Sequence, residues 1–212
     1  AGTWLVDEGQ ILIDNIDVTK LSEHKRAAYL GRVFQDPMTG TAATMGIEEN
    51  LALAKRRGKS RLLRPGITKA ERTEYKELLK ILGLGLEDRL TSKVGLLSGG
   101  QRQALTLLMA TLQKPKLLLL DEHTAALDPK TASKVLEITD MIVNRDHLTT
   151  LMITHNMKDA IAHGNRLIMM MEGKIILDIQ GEAKKKLTVK DLLDQFEQAS
   201  GKEFSNDSAL LG

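Results

Sequence analysis

Short apolar runs alternate along the chain with longer stretches of helical periodicity. Three runs have the length of a strand, and Lys116 is their only charged residue: 116–120, 149–154 and 167–171. Runs of this kind are typical of strands buried on both faces of a parallel sheet. We therefore expect three buried strands, and the segment 174–179 should form a hairpin with the last of them. A further short strand is expected at 30–34, before a loop that begins at Gln35-Asp36-Pro37.

Helical patterns occupy much of the remaining chain. They cover residues 46–90, interrupted by a basic connector at 55–64, and then residues 98–112 and 191–198. Another helix is expected to begin at Pro129, because Asp128 is a suitable N-cap and proline is favoured at the first helical position. Residues 5–18 are expected to be extended. This order predicts an α/β core that carries a helical lobe.

The stretch Leu97-Ser98-Gly99-Gly100-Gln101 is the most informative one in the sequence. Two glycines after a serine, at the start of a helix, leave backbone N–H groups uncovered at the positive end of the helix dipole. Such a helix start binds phosphate, and the Ser98 hydroxyl can add a hydrogen bond. The same residues are also compatible with a simple turn that caps a helix.

Polar residues follow three of the predicted strands. Asp121 and Glu122 come directly after residue 120, His155 after residue 154 and Gln35 after residue 34. Ligands bind at the carboxyl edge of open parallel sheets. Asp121 is therefore a candidate ligand of Mg²⁺, and Glu122 could polarise a water molecule for attack on phosphorus. Taken singly, each of these residues also suits a purely structural role.

Taken together, the order of these features resembles the ATPase subunits of the ATP-binding cassette (ABC) family over nearly the whole chain. The resemblance implies an α/β fold of the P-loop NTPase type, in which a mostly parallel sheet is flanked by helices and carries an inserted helical subdomain. Residues 1–36 and 113–212 would form the α/β core, and residues 37–112, including the signature motif, the helical subdomain. ATP and Mg²⁺ are the implied cofactors.

The resemblance also assigns roles to single residues. Gln35 matches the Q-loop glutamine, a ligand of magnesium and water that senses the membrane partner. Asp121 matches the Walker B aspartate, which binds the metal, and Glu122 the catalytic base. His155 matches the switch histidine that contacts the γ-phosphate, and Asp128 the D-loop aspartate at the dimer interface.

The signature motif is matched by Ser98, Gly99, Gly100 and Gln101, and in the family it contacts the γ-phosphate of ATP held by the opposite subunit. His123 stands where many family members have proline.

One departure from the family matters for function. The phosphate loop, G-x-x-x-x-G-K-[ST], is absent, and so is the upstream aromatic residue that stacks on adenine. Gly58-Lys59-Ser60 imitates the end of that loop, but Leu53 stands where its first glycine belongs. We therefore expect that this chain alone does not hold ATP in cis, because nothing offsets the charge of the triphosphate.

The resemblance further implies that about the first 40 residues of an ordinary subunit are absent, including a central strand of the sheet. Loss of a central strand leaves two neighbouring strands with unpaired backbone groups. The chain is therefore expected to be an excerpt of a subunit, or a chain that folds poorly by itself.

Composition narrows the functional classes. Thirty Lys and Arg residues against 28 Asp and Glu residues give a net charge of +2 over 212 residues, which does not favour a nucleic-acid partner. The absence of cysteine excludes disulfides and thiolate chemistry. No apolar run approaches the roughly 20 residues of a membrane span, and residues 1–4 do not resemble the start of a signal peptide.

The expected function is that of a transporter motor, which couples ATP-driven dimer closure to solute transport through a membrane partner. Amino-acid uptake is the suggested transport activity, since the chain resembles bacterial importer subunits. The implied partners are a second ABC subunit in a homodimer, transmembrane permease subunits and an extracytoplasmic solute-binding protein. The chain would lie in the cytoplasm, on the inner face of the membrane. Two alternatives stay open: a soluble ABC ATPase acting on nucleic acid or ribosomes, and a non-catalytic interaction subunit.

Overall fold

The computed structural model describes residues 1–58 and 66–200 of the chain. It divides into two compact units, Ala1–Ile153 and the unit that begins at Thr154. In chain order, the first unit contains β1 (Leu12–Ile13), β2 (Ile16–Asp17), α1 (Glu23–Arg26), β3 (Leu30–Val33), α2 (Ile47–Lys55), α3 (Lys69–Lys80), a 3-10 turn (Val94–Leu96), α4 (Gly99–Thr111), β4 (Leu117–Asp121), α5 (Pro129–Asp146) and β5 (Thr150–Ile153).

A parallel sheet with the strand order β3-β4-β5 forms the centre of the first unit. Its register aligns Arg32 with Leu119, and Leu119 with Leu151. Because all three strands run in the same direction, their carboxyl ends lie at the same edge of the sheet. The predicted α/β class is confirmed, and so are the strands expected near residues 30, 116 and 149.

Strand β4 is covered on both faces, as its apolar sequence predicts. Leu118 and Leu120 are fully buried in the main core, which they share with residues of α2, α3, α4 and α5. Leu117 and Leu119 point to the other face, against a smaller cluster formed by Ile13 and its neighbours. A central position in the sheet explains this burial, because both sides of a central strand are available for packing.

The prediction that β5 is buried on both faces is wrong. Leu151 is 50% exposed and Ile153 is 53% exposed, whereas Met152 packs against the main core. Within the described residues β5 has a single strand neighbour, β4, so one face and one edge remain open. An apolar run cannot by itself distinguish a strand with both faces covered from one with only one face covered.

The helix starts follow local capping chemistry. Thr68 and Ser98 each accept a hydrogen bond from the backbone N–H three residues ahead, and Asp128 accepts one from the N–H of Thr131. These contacts satisfy N–H groups that the helix itself leaves unpaired. The predicted start at Pro129 is therefore confirmed, and the predicted helix at 98–112 corresponds to α4.

Two parts of the sequence prediction need adjustment. Only four residues of the stretch 5–18 form strands, the short hairpin of β1 and β2, because Asp14 and Asn15 turn the chain at positive φ. The helical pattern at 46–90 corresponds to the separate helices α2 and α3. Most of the predicted basic connector between them, residues 59–64, lies outside the described residues. Helices α2, α3 and α4 fall within 37–112, and the boundaries of the helical subdomain stay a prediction.

The second unit contains α6 (Met157–Ala162), β6 (Arg166–Met171), β7 (Lys174–Gln180), α7 (Gly181–Lys185) and α8 (Val189–Ser200). Strands β6 and β7 pair as the predicted hairpin, with Glu172 and Gly173 at positive φ in its turn. The prediction that β6 is buried is wrong, because Met170 is 60% exposed and only Leu167 is buried. A two-stranded hairpin has one covered face at most, so its residues alternate in exposure.

In the part of the chain that the structure describes, every helix is too short or too polar to cross a membrane.

Candidate functional site

Gln35, Asp121 and Glu122 lie at the carboxyl edge of the parallel sheet. Strand β3 ends at Val33, two residues before Gln35, and β4 ends at Asp121. Gln35 is exposed, and the Asp121 side chain is 46% exposed. The structure thus brings an amide and two carboxyl groups to the edge at which open parallel sheets bind their ligands.

A cation lies beside Asp121. The Nη2 atom of Arg32 is 3.8 Å from Asp121 Oδ2, and the Arg32 guanidinium lies over the ring of Phe34, with its carbon 4.4 Å from the ring centre. The Nη1 atom of Arg32 also lies 3.8 Å from Glu23 Oε1. An exposed pair at this distance contributes little to stability, but it places a positive charge beside the carboxylate that was predicted to bind metal. The sequence analysis did not single out Arg32, which stands in an otherwise apolar strand.

Glu122 has an unusual backbone conformation. Its φ is +44°, in the left-handed region that residues other than glycine rarely adopt. The conformation costs about 1 kcal/mol, and two hydrogen bonds hold it: Glu122 N–H donates to the Ile153 carbonyl at 3.0 Å, and the Glu122 carbonyl accepts from Ala125 at 3.0 Å. The turn follows directly on Asp121, the last residue of β4.

His123 is buried behind these acids. It is 2% exposed, and its Nε2 lies 3.1 Å from the hydroxyl of Thr139 in α5. The sequence marked His123 only as a departure from proline. The structure shows instead that it connects the turn after β4 to the flanking helix.

The signature stretch forms the start of α4. Ser98 Oγ accepts a hydrogen bond from Gln101 N–H at 3.3 Å, and Gln101 Oε1 accepts one from Ser98 N–H at 3.2 Å. This reciprocal capping box leaves the Ser98 hydroxyl proton available for an acceptor outside the helix. The amides at the start of α4 and this hydroxyl together suit a phosphate oxygen.

The two glycines allow α4 to begin against the start of α5. A Cβ atom on Gly100 would lie 2.1 Å from Thr131 Cγ2, and one on Gly99 would lie 3.2 Å from Leu127 Cδ2. Thr131 in turn hydrogen-bonds the Asp128 carboxylate. The bond from its side chain, and to a lesser extent the bond from its N–H, lowers the pKa of Asp128 below its usual range. Asp128 is therefore fixed close to the signature stretch of its own chain.

His155 belongs to the second unit, two residues after the end of β5. The residues on either side of it, Thr154 and Asn156, are hydrogen-bonded to each other in a compact turn. Asn156 N–H donates to Thr154 Oγ1 at 3.1 Å, and Asn156 Oδ1 caps α6 by accepting from Lys158 N–H at 2.9 Å. His155 itself is exposed.

The predicted site residues of the first unit therefore form two groups. Gln35, Asp121 and Glu122 share the carboxyl edge of the sheet, whereas the signature residues Ser98, Gly99, Gly100 and Gln101 lie with Asp128 at the starts of α4 and α5. No motif in the sequence indicates Gln103, a fully buried residue of α4 that hydrogen-bonds Phe34, the residue before Gln35.

The donor atoms at the sheet edge fit a magnesium ion. Mg²⁺ prefers oxygen ligands and is bound by one or two carboxylates, with water and substrate phosphates completing its shell. Asp121 and Gln35 supply such oxygens. Among the described residues, the structure shows no cluster of three His, Cys, Asp or Glu residues that could hold a metal ion.

A cavity of about 620 Å³ lies at the opposite edge of the sheet, lined among others by Lys114, Leu117 and His147. It adjoins the amino-terminal ends of β4 and β5, and it contains none of the predicted site residues.

Comparison with known proteins identifies the family of the chain. The sequence profile of the ABC transporter family matches residues 1–125. The tyrosine transport ATP-binding protein of Clostridioides difficile (strain R20291) is 48% identical over 191 residues, which are 90% of this chain and 76% of that protein. The methionine import ATP-binding protein MetN of Rhizobium johnstonii is 36% identical over 179 residues, or 82% of this chain. The chain spans only 46% of the length of that relative.

A solved structure has a similar fold. The dimeric ATP-binding cassette MJ0796, in a post-hydrolysis state bound to ADP and Pi, superimposes with a TM-score of 0.66 at 29% identity. The match covers 82% of this chain and 74% of that one. It confirms the predicted α/β fold of the P-loop NTPase type. Since the family profile covers more than half of the sequence and a close relative is nearly half identical, the chain belongs to the ABC transporter family.

Proposed function

We propose that the chain is part of the ATP-binding and ATP-hydrolysing subunit of an ABC importer, and that amino acids are its cargo. The observation that carries the proposal is the position of Asp121 and Glu122, two consecutive acids at the carboxyl edge of a parallel sheet with Gln35 beside the same edge. The names of the tyrosine and methionine relatives support the cargo class.

Each residue of the sheet edge has a distinct task in this proposal. Oxygen atoms of Asp121 and Gln35 would hold the magnesium ion, which would neutralise phosphate charge. Glu122 accepts the proton of the attacking water. His155, in the second unit, has the role that the family resemblance implies, a hydrogen bond to a γ-phosphate oxygen.

The start of α4 acts on a different nucleotide. Ser98 and the amides of Gly99, Gly100 and Gln101 contact the γ-phosphate of ATP held by a second subunit, and Asp128 lies at the interface between the two. Contact between Gly100 and Thr131 keeps the signature stretch and Asp128 together, so that they would meet the opposite subunit as one surface. The dimeric state of the similar cassette supports a homodimer.

Further partners complete the proposed transporter. Closure of the ATPase dimer drives transmembrane permease subunits, and an extracytoplasmic solute-binding protein delivers the cargo. The subunit then acts on the cytoplasmic face of the membrane.

A non-catalytic interaction subunit is the second candidate. The 212 residues contain no G-x-x-x-x-G-K-[ST] phosphate loop.

ATP binding and hydrolysis distinguish the two candidates. The 212-residue chain and the product of the whole gene from which it derives are assayed in parallel, each as wild type and as Glu122→Gln. The proposal expects no turnover by the 212-residue chain, turnover by the full product, and loss of that turnover with ATP binding retained in the Glu122→Gln variant.

Glu137→Gln is the matched control, since Glu137 is an exposed carboxylate on α5 that pairs only with Lys134 in the described contacts. It should leave turnover unchanged. Equal turnover by wild type and Glu122→Gln would contradict the role of Glu122, and a full product that is inactive even with its membrane partner would favour the interaction subunit.

A further inference from the structure

Gln103, in the first turns of α4, is a fully buried polar residue with 0% exposure. Its Nε2 donates a hydrogen bond of 3.0 Å to the backbone carbonyl of Phe34, the residue directly before Gln35. Its Oε1 is buried and has no hydrogen-bond partner in the described structure. An apolar side chain of the same length would avoid that unsatisfied acceptor. What glutamine adds at this position is therefore the bond to Phe34.

The same face of α4 contacts the chain beyond Gln35. Arg102 lies against the sulfur atom of Met38. A Cβ atom on Gly40 would lie 2.5 Å from Thr106 Cγ2, so the backbone of Gly40 packs directly on the helix. Since positions three and four apart are neighbours on a helix surface, these contacts form one continuous strip. We call residues 34–40 the Gln35 segment; it is attached to α4 both before and after Gln35.

Arg102 also reaches the loop that leads to Ser98. Its guanidinium donates to the carbonyls of Gly95 at 3.0 Å and Leu97 at 3.2 Å. The backbone of Gly95 in turn donates to Ala43 at 2.8 Å. The loop before the signature stretch and the chain after the Gln35 segment are therefore joined to each other as well as to α4.

We infer that Gln103 is a positioning residue for Gln35: through its bond to Phe34, it fixes the start of the Gln35 segment to the helix whose first residue follows Ser98. The inference rests on the proposed function, because it takes Gln35 to act at the nucleotide. The buried amide of Gln103 keeps Gln35 in a defined place relative to the signature stretch. A displacement of the Gln35 segment is then transmitted through α4 to the loop before Ser98, and the reverse also holds.

Amide hydrogen exchange, followed by NMR on the product of the whole gene without nucleotide, tests the inference. Gln103→Met keeps the length of the side chain and removes Nε2–H. It should accelerate exchange in the Gln35 segment by about tenfold and leave the middle of α5 unchanged. No acceleration in the Gln35 segment would overturn the inference. An equal acceleration throughout α5 would also overturn it, since it would show that Gln103 only stabilises the fold.

Gln113→Met is the matched control. Gln113 follows α4, and its Nε2 donates to a backbone carbonyl too, that of Lys55 at the end of α2. Loss of this bond should accelerate exchange near the end of α2 and leave the Gln35 segment unchanged. The same acceleration of the Gln35 segment in both variants would contradict a specific role of Gln103.

A second pair of variants tests the attachment even if Gln103→Met does not fold. Gly40→Ala forces a Cβ atom against Thr106 in an exposed segment, and it should accelerate exchange there. Thr106→Ser removes Cγ2 but keeps the hydroxyl, which donates to the Arg102 carbonyl at 2.9 Å. The double variant should therefore recover the slow exchange of the wild type. Failure to recover would contradict a segment held by α4.

These measurements need no ATP, so their outcome is separate from that of the ATPase assay. Local acceleration in Gln103→Met, together with an inactive full-length product, would support the attachment and contradict only the proposed function.

Discussion

His123 donates a hydrogen bond to Thr139, and the structure determines its direction. The Thr139 hydroxyl lies 2.8 Å from the Val135 carbonyl, to which it gives its single proton. It can therefore only accept from His123 Nε2, 3.1 Å away. This geometry favours a proton on Nε2 of the imidazole next to Glu122, and the bond connects α5 to the turn that follows β4.

Thr139→Val should destabilise the fold, because it leaves the buried Nε2–H of His123 without this acceptor. The expected loss in the free energy of unfolding is about 1–3 kcal/mol, measured by urea denaturation. Thr73→Val is the control. The Thr73 hydroxyl also donates a hydrogen bond to the carbonyl four residues back in its helix, that of Lys69 in α3, but Thr73 is exposed. A loss of equal size in both variants would show that the effect comes from the helix bond and not from His123.

Gly100→Ala should destabilise the start of α4, because the new Cβ would lie 2.1 Å from Thr131 Cγ2. Crowding of this kind costs about 1–3 kcal/mol. Gly99→Ala should have a smaller effect, since it meets only the flexible end of Leu127 at 3.2 Å. Thr131→Ser removes Cγ2, so the double variant with Gly100→Ala should recover most of the stability in thermal unfolding. If it does not, the contact between the two helix starts is not the cause.

Asp128 should contribute to the pH dependence of stability. Hydrogen bonds from Thr131 lower its pKa in the folded chain, so folding favours the carboxylate. The contribution is present above the unfolded-state pKa of about 3.9 and is lost as the pH falls through the lower folded value. Asp128→Asn keeps the N-cap but cannot titrate.

The slope of the unfolding free energy against pH, measured in acid for both proteins, checks this prediction. The variant should have the shallower slope, while other carboxyl groups with a lowered pKa, such as Asp178, contribute equally in both. Identical slopes would contradict the role of Asp128.

Lys184 should stabilise the second unit through two backbone acceptors. It is 3% exposed, and its ammonium group donates to the carbonyls of Ile161 and His163 at the end of α6. Lys184→Met should lower stability by about 1–3 kcal/mol and accelerate amide exchange in α6. Lys185→Met is a suitable control, because Lys185 is exposed and pairs only with Glu182 in the described contacts. An equally large loss in the control would count against the capping role.

The sequence predicted those features that depend on local chemistry. Asp128 followed by proline specified the start of α5, and Ser98 with its glycines specified the start of α4. The acids at the end of β4 were also placed correctly at the carboxyl edge. These predictions succeed because capping and strand length depend on a few neighbouring residues.

The features that the sequence did not reveal depend on distant residues. Gln103 meets Phe34 across 69 positions of the chain, and no local pattern indicates such a contact. The exposure of Leu151 was missed for a related reason: whether an apolar strand is covered depends on what packs against it, and not on its own composition. The conformation of Glu122 likewise arises from its bond to Ile153.

The open side of β5 has a consequence for handling the protein. Within the described part of the chain, β5 has a strand neighbour on one side only and exposes Leu151 and Ile153, so another extended chain can pair with its other edge. For the 212-residue chain, this edge therefore favours association between copies at high concentration. A single lysine in place of Leu151 should keep the solution clear for longer while the melting temperature stays almost the same.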